Sequence, residues 1–230
     1  MDSDSDPFRH HPELRGLIVD PLTSAYRAMS LELLDERMRA IGAPADWRRG
    51  DDDREDGDLW VFAYGSLMWD PGFRFGEIRS GLLRGYHRRF CLRSVVGRGT
   101  PDRPGLMAGL DRGGECRGLA FRIDGVHVEE ETRIIWRREM VMRSYAPEFV
   151  PVETAWGGIE ALAFIVDPAG ESYRPGMSLE ETAAFMATGA GLFGSSLDYL
   201  ERLTDHFATI GIEDDELTRL RDLSRRLATG

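Results

Sequence analysis

Leu59-Trp60-Val61-Phe62-Ala63-Tyr64-Gly65-Ser66-Leu67 opens the patterned body of this chain. Leu59–Ala63 is apolar without alternation, as expected of a strand buried on both faces. Tyr64-Gly65-Ser66-Leu67 then ends the strand in a turn. Gly65 lets the backbone turn tightly and come close to a ligand. Consecutive backbone N–H groups in such a turn form a concave donor row suited to carboxylates or phosphates. The ordinary alternative for Tyr-Gly-Ser is a strand-ending turn with no ligand.

Working outward, the next informative group is Glu139, in Trp136-Arg137-Arg138-Glu139-Met140. The segment 128–145 reads as a helix, with Glu129, Glu130 and Glu131 suiting the positive end of its dipole. On that helix the neighbours of Glu139 at i−4, i−3 and i+3 are Ile135, Trp136 and Met142, so its carboxylate falls on the apolar stripe. Apolar surroundings hold the proton of a carboxyl to higher pH, which suits acid and base work near neutrality. The alternative is a carboxylate neutralised by Arg138 or Arg143.

The remaining pattern is α+β. Strands are expected at 81–93, 105–110, 116–123, 150–154 and 159–166, divided by Gly and Pro signals. Helices are expected at 178–188, 195–210 and 214–227. Strands first, one inserted helix, then terminal helices do not make a doubly wound sheet. Ahead of the body, residues 1–21 read as a polar, irregular arm. Residues 22–42 carry Tyr26, Met29, Leu33, Leu34, Met38 and Ile41 at helical spacing, and 50–58 is an acidic linker. The expected division is therefore 1–58 (arm, amphipathic helix and linker) and 59–230 (the body of strands and helices, which the resemblance given below implies to be a catalytic domain).

Composition narrows the chemistry. The chain has 230 residues, 42% hydrophobic and 30% charged, as in a soluble globular protein. A net charge of −11 argues against nucleic acid or anionic membranes as partners. No apolar run reaches the roughly 20 residues that span a bilayer. Met1-Asp2-Ser3-Asp4-Ser5-Asp6 lacks signal-peptide character, so cytoplasmic residence is expected. There is no Lys, Asn or Gln. That excludes Schiff-base lysines, P-loop lysines and side-chain amide oxyanion holes. Cys91 and Cys116 sit in no metal-ligand spacing, and the histidines form no ligand cluster; neither a metal nor a cofactor is expected.

Four motifs occur in order. They are Tyr64-Gly65-Ser66-Leu67-Met68-Trp69, Gly85-Tyr86-His87-Arg88-Arg89-Phe90-Cys91, Arg98-Gly99-Thr100 with Pro104-Gly105, and Arg137-Arg138-Glu139-Met140. With a late Leu197-Asp198-Tyr199-Leu200, the set resembles the ChaC-like γ-glutamylcyclotransferases from about Trp60 to about Leu227. The resemblance implies a small, mixed, partly closed β-barrel flanked by helices. It implies glutathione as a small-molecule substrate, cyclised to 5-oxoproline with release of cysteinylglycine. It implies Glu139 as base and then acid, and Tyr64, Gly65, Ser66 and Leu67 as substrate binders. Arg98 and Tyr199 join them as substrate-binding candidates, with Gly97-Arg98-Gly99-Thr100-Pro101 as a candidate lid. For Tyr199, near Leu203, the alternative is a core tyrosine; for Ser94 it is a loop-shaping role. Two other functions stay open: cyclisation of other γ-glutamyl peptides or amines, and a non-catalytic module that binds a γ-glutamyl ligand. Oligomeric state is not legible.

Deleting residues 1–21 is expected to leave the melting temperature and activity unchanged, because polar irregular termini rarely pack. Deleting through Gly57 is expected to lower the melting temperature by uncovering the apolar face of the 22–42 helix. Equal melting of the longer truncation and the full chain refutes docking of that helix.

Overall fold

The computed structural model describes residues 57–140 and 144–229, with Arg137 described by its backbone alone. The arm, the helix expected at 22–42 and most of the acidic linker lie outside the described residues.

Seven strands are present among the described residues: β1 (Leu59–Ala63), β2 (Glu77–Ser94), β3 (Gly105–Ile123), β4 (Tyr145–Thr154), β5 (Gly157–Val166), β6 (Ala190–Gly191) and β7 (Gly194–Ser195). Four α-helices accompany them: α1 (Val128–Glu139), α2 (Leu179–Thr188), α3 (Ser196–Thr209) and α4 (Asp215–Thr229). The first five strands close a barrel in the order β1-β3-β2-β4-β5, with an added β3–β5 pairing. The expected α+β class and small mixed barrel are therefore present, and the barrel is closed. No helix among the described residues is long and apolar enough to cross a membrane.

β1 sits inside this order because it is apolar on both faces. It runs antiparallel to β3 in the register Leu59↔Ile123 to Ala63↔Leu119, and parallel to β5 at Val61↔Leu162. Val61, Phe62 and Ala63 have no exposed surface. Each large side chain so buried contributes roughly 1.5–3 kcal/mol. Gly118 lets β3 approach: a Cβ there would collide with the Ala63 carbonyl oxygen and the Phe62 ring.

Several boundaries differ from expectation. Gly113-Gly114 reads as a break, yet β3 runs through it as one strand of 19 residues. Both glycines have positive φ, 102° and 67°, a conformation that favours glycine, and the strand continues through them. β4 begins at Tyr145, where the sequence pattern continues a helix; α1 stops at Glu139. The three terminal helices agree within two residues. Ser178 and Ser195 cap α2 and α3 through capping boxes with Glu181 and Asp198.

The described residues form two compact units. The first comprises 57–84 and 115–164. Its core gathers β1, the Phe121 end of β3 and the Phe164 end of β5. Phe73 and Phe75 stand edge-on to Phe121, with ring centroids 5.7 and 5.0 Å away. The second unit comprises 85–114 and 165–229. There α2 packs chiefly on α4, and α3 on both. Phe207 of α3 is buried, with the Arg88 guanidinium 4.2 Å from its ring centroid and Asp214 3.2 Å from Arg88.

Gly118→Ala is expected to destabilise by about 2 kcal/mol, because the clash is with backbone that cannot swing aside. The melting temperature should then fall by about 4–8 °C. An unchanged melting temperature contradicts the close β1–β3 contact.

Candidate active site

The turn after β1 is a single 3₁₀ turn, Ser66–Met68. The Met68 N–H donates to the Gly65 carbonyl at 2.9 Å, and the Asp70 N–H to the Ser66 carbonyl at 2.9 Å. Such a turn provides acceptors for the amides at its end and none for those at its start. The N–H groups of Gly65, Ser66 and Leu67 therefore have no acceptor within the turn. The side chains around them are committed elsewhere. Tyr64 is buried, and its hydroxyl donates to the Phe164 carbonyl at 2.7 Å. Leu67 and Met68 are core residues. What Tyr64 and Leu67 can offer a ligand is backbone.

Glu139 is the last residue of α1, and its side chain is 14% exposed. Ile135 is fully buried beside it in sequence, and Trp136 stands edge-on to Phe164 at 6.2 Å. Met142 lies outside the described residues. Burial pushes the Glu139 carboxyl above the usual range, and the Arg138 guanidinium opposes this without overcoming it. The negative end of the α1 dipole also disfavours the carboxylate. A carboxyl of this kind accepts and returns a proton nearer neutrality than a free one.

Arg138 joins the two halves of this site. Its side chain is 6% exposed, and its Nε lies 3.1 Å from the Glu139 carboxylate. One terminal nitrogen donates to the Ser66 hydroxyl at 2.7 Å and the other to the Asp70 carbonyl. The first unit thus ties Glu139 to the Tyr64–Leu67 turn through a residue that sequence reasoning treated only as a neutralising neighbour. The signal was the Arg-Glu pair at the end of an apolar stripe. The Ser66 hydroxyl accepts from Arg138, so its role is structural support of the turn.

Arg98 and Tyr199 belong to the second unit. The Arg98 guanidinium sits 5.3 Å from the Tyr199 ring centroid and donates to the Phe193 carbonyl. Tyr199 is buried and stands edge-on to Phe90 at 5.8 Å, so its ring is a core group. The loop around Arg98 is hydrogen-bonded at several points. The Ser94 hydroxyl accepts from the Arg98 N–H at 2.9 Å, which gives Ser94 its loop-shaping role. Leu192 and Phe193 donate their N–H groups to Val96 and Gly97. The buried Ser196 hydroxyl donates to the Arg98 carbonyl at 2.9 Å and accepts from the Leu106 N–H at 3.0 Å. A Cβ on Gly105 would occupy the place of that hydroxyl.

The model of the family described as ChaC-like protein matches residues 59–227. The chain belongs to the ChaC-like family. Among curated ChaC-like relatives it is 36% identical over 167 residues to the glutathione-specific gamma-glutamylcyclotransferase of Escherichia coli (strain K12), covering 72% of each chain. It is 32% identical over 179 residues to glutathione-specific gamma-glutamylcyclotransferase 1 of Homo sapiens, covering 74% of this chain and 81% of that one. In fold it resembles the crystal structure of a gamma-glutamylcyclotransferase specific to glutathione from yeast. That likeness has a TM-score of 0.69 and 21% identity, over 75% of this chain and 97% of the other.

The raised Glu139 carboxyl sets a pH dependence of stability. The folded state keeps a proton that the unfolded state gives up, so this contribution is full below the ordinary glutamate range. It is lost as pH rises through the folded value. The Glu139→Gln variant has no such contribution to lose. Its melting temperature should therefore gain on wild type as pH goes from acid to neutral. A constant difference across that range contradicts the burial of Glu139.

Proposed function

We propose that this ChaC-like chain is a γ-glutamylcyclotransferase that converts glutathione to 5-oxoproline and cysteinylglycine. The observation that carries the reading is the attachment of Glu139, through Arg138, to the turn Tyr64–Leu67. The curated relatives support glutathione as the substrate.

The reaction is intramolecular. The α-amine of the γ-glutamyl group attacks the γ-carbonyl, closing a five-membered lactam. The bond from that carbonyl to the cysteine nitrogen breaks. No covalent enzyme nucleophile is needed; the protein must hold the γ-glutamyl arm in its attacking conformer. The amides of Gly65, Ser66 and Leu67 hold the α-carboxylate and so place the amine beside it. Glu139 takes a proton from the α-ammonium and returns it to the leaving cysteine nitrogen; the attacking nitrogen sheds its second proton as the lactam closes, and the released cysteinylglycine amine takes that proton up as an ammonium. Protons balance without water, and the carboxyl ends as it began. Arg138 keeps Glu139 oriented toward the turn. For Arg98 and Tyr199 as substrate contacts the support is the resemblance alone.

Incubation with glutathione, followed by mass spectrometry for 5-oxoproline, tests the activity. Glutathione is expected to be turned over well above γ-glutamyl-alanine, and equal specificity constants refute the glutathione preference. Glu139→Gln should stay folded, bind glutathione and lose about 10²–10⁴-fold in turnover, the span of general acid–base catalysis. A folded variant within about tenfold of wild type, about 1.4 kcal/mol in barrier, removes Glu139 from the mechanism.

A further inference from the structure

Two turns before Glu139 on the same helix, Glu131 is buried without any exposed surface. One of its oxygens accepts the Arg74 backbone N–H at 3.0 Å, and the other lies 3.6 Å from the Arg74 Nε. Glu131 and Arg138 are seven residues apart, so they project from one face of α1. Both grip the segment that follows β1. Arg138 holds it at Ser66 and Asp70, and Glu131 holds it at Arg74. That segment is itself fixed on the barrel wall. Phe73 and Phe75, on either side of Arg74, both stand edge-on to Phe121 of β3.

We infer that Glu131 is a positioning residue for Glu139, the far half of a two-point clamp by which α1 holds the segment 66–74. The reason lies in what a single grip leaves undone. Ile134, Ile135 and Trp136 seat α1 by apolar packing, which is not directional, and Arg138 grips only the turn end. A second polar grip two turns away fixes the direction of the helix and sets where the terminal carboxylate comes to rest. A buried ion pair is weak evidence for stability, because desolvation offsets much of the attraction. Its directionality is what an apolar side chain of similar size cannot supply. The Arg74 backbone donor is held by two aromatic side chains, so Glu131 reads its position against the barrel wall.

The inference rests on the reading of Glu139 as the proton-transfer group, and the test separates the two. Glu131→Leu removes the grip, and the half-exposed Arg74 guanidinium can turn to water. Glu131→Gln keeps an acceptor for the Arg74 N–H. In the full-length Glu131→Leu protein, folded by circular dichroism, kcat for glutathione is expected to fall at least about tenfold, since small misplacements near the chemistry are costly. KM should hold within about threefold, and Glu131→Gln should recover most of the loss. A second readout needs no activity. The Glu139 carboxyl, followed by carbon-13 NMR, should titrate lower in Glu131→Leu, because loosening the helix end lets water in, and burial outweighs the opposing Arg138 charge. Phe75→Leu loosens the same segment from the barrel side and should shift the titration in the same direction if Glu131→Leu does not fold. An unmoved Glu139 titration in both variants, or Glu131→Leu turnover within about twofold of wild type, overturns the clamp. Absence of 5-oxoproline from wild type overturns the glutathione reading, and the titration then decides the clamp alone.

Discussion

Arg138 holds the Ser66 hydroxyl, the Asp70 carbonyl and the Glu139 carboxylate with one guanidinium. The planar fork of donors makes this possible; a lysine ammonium on its flexible stem has no such fixed directions. The Arg138 side chain is 6% exposed, so these contacts are made largely out of water. Remove it, and the turn loses its support on one side while a buried carboxylate loses its counter-charge. The site of the first unit is organised around this one residue.

The same contact explains how Glu139 can be both paired and reluctant to ionise. An exposed Arg–Glu pair favours the carboxylate. Here the helix end and its apolar neighbours withdraw the group from water, and burial is the larger influence. Arg138 moderates the shift and, more importantly, fixes direction. A raised proton affinity and a constant orientation are together what suits a carboxyl to proton transfer.

In the second unit a neutral side chain does comparable work. The Ser196 hydroxyl joins the Arg98 carbonyl and the Leu106 amide to the start of α3, in a space left open by glycine. Loop composition suggests mobility wherever Gly, Thr and Pro cluster. Here glycines also serve close packing, and the loop is hydrogen-bonded to groups far along the chain.

Local chemistry by itself determined much of this protein. The unbroken apolar run Leu59–Ala63 reads as a strand covered on both faces, and Tyr-Gly-Ser ends it. The helix starts expected at 178 and 195 fall on the residues that cap α2 and α3. The family motifs identify Glu139 within a helix. These readings succeed because each depends on residues adjacent in the chain. What only the tertiary structure decided are relations between distant segments. Gly113-Gly114 does not break β3, because the strand continues beyond it as the partner of β1. Helix α1 stops at Glu139, and Tyr145 turns to strand, because pairing in the barrel overrides the helical pattern. That Arg138 reaches back 72 residues to Ser66, and that Glu131 reads the position of Arg74, follows from how the helix lies on the barrel wall. A pairwise contact of that range leaves no periodicity in the sequence, because periodicity records only which face of an element is buried, not what it is buried against.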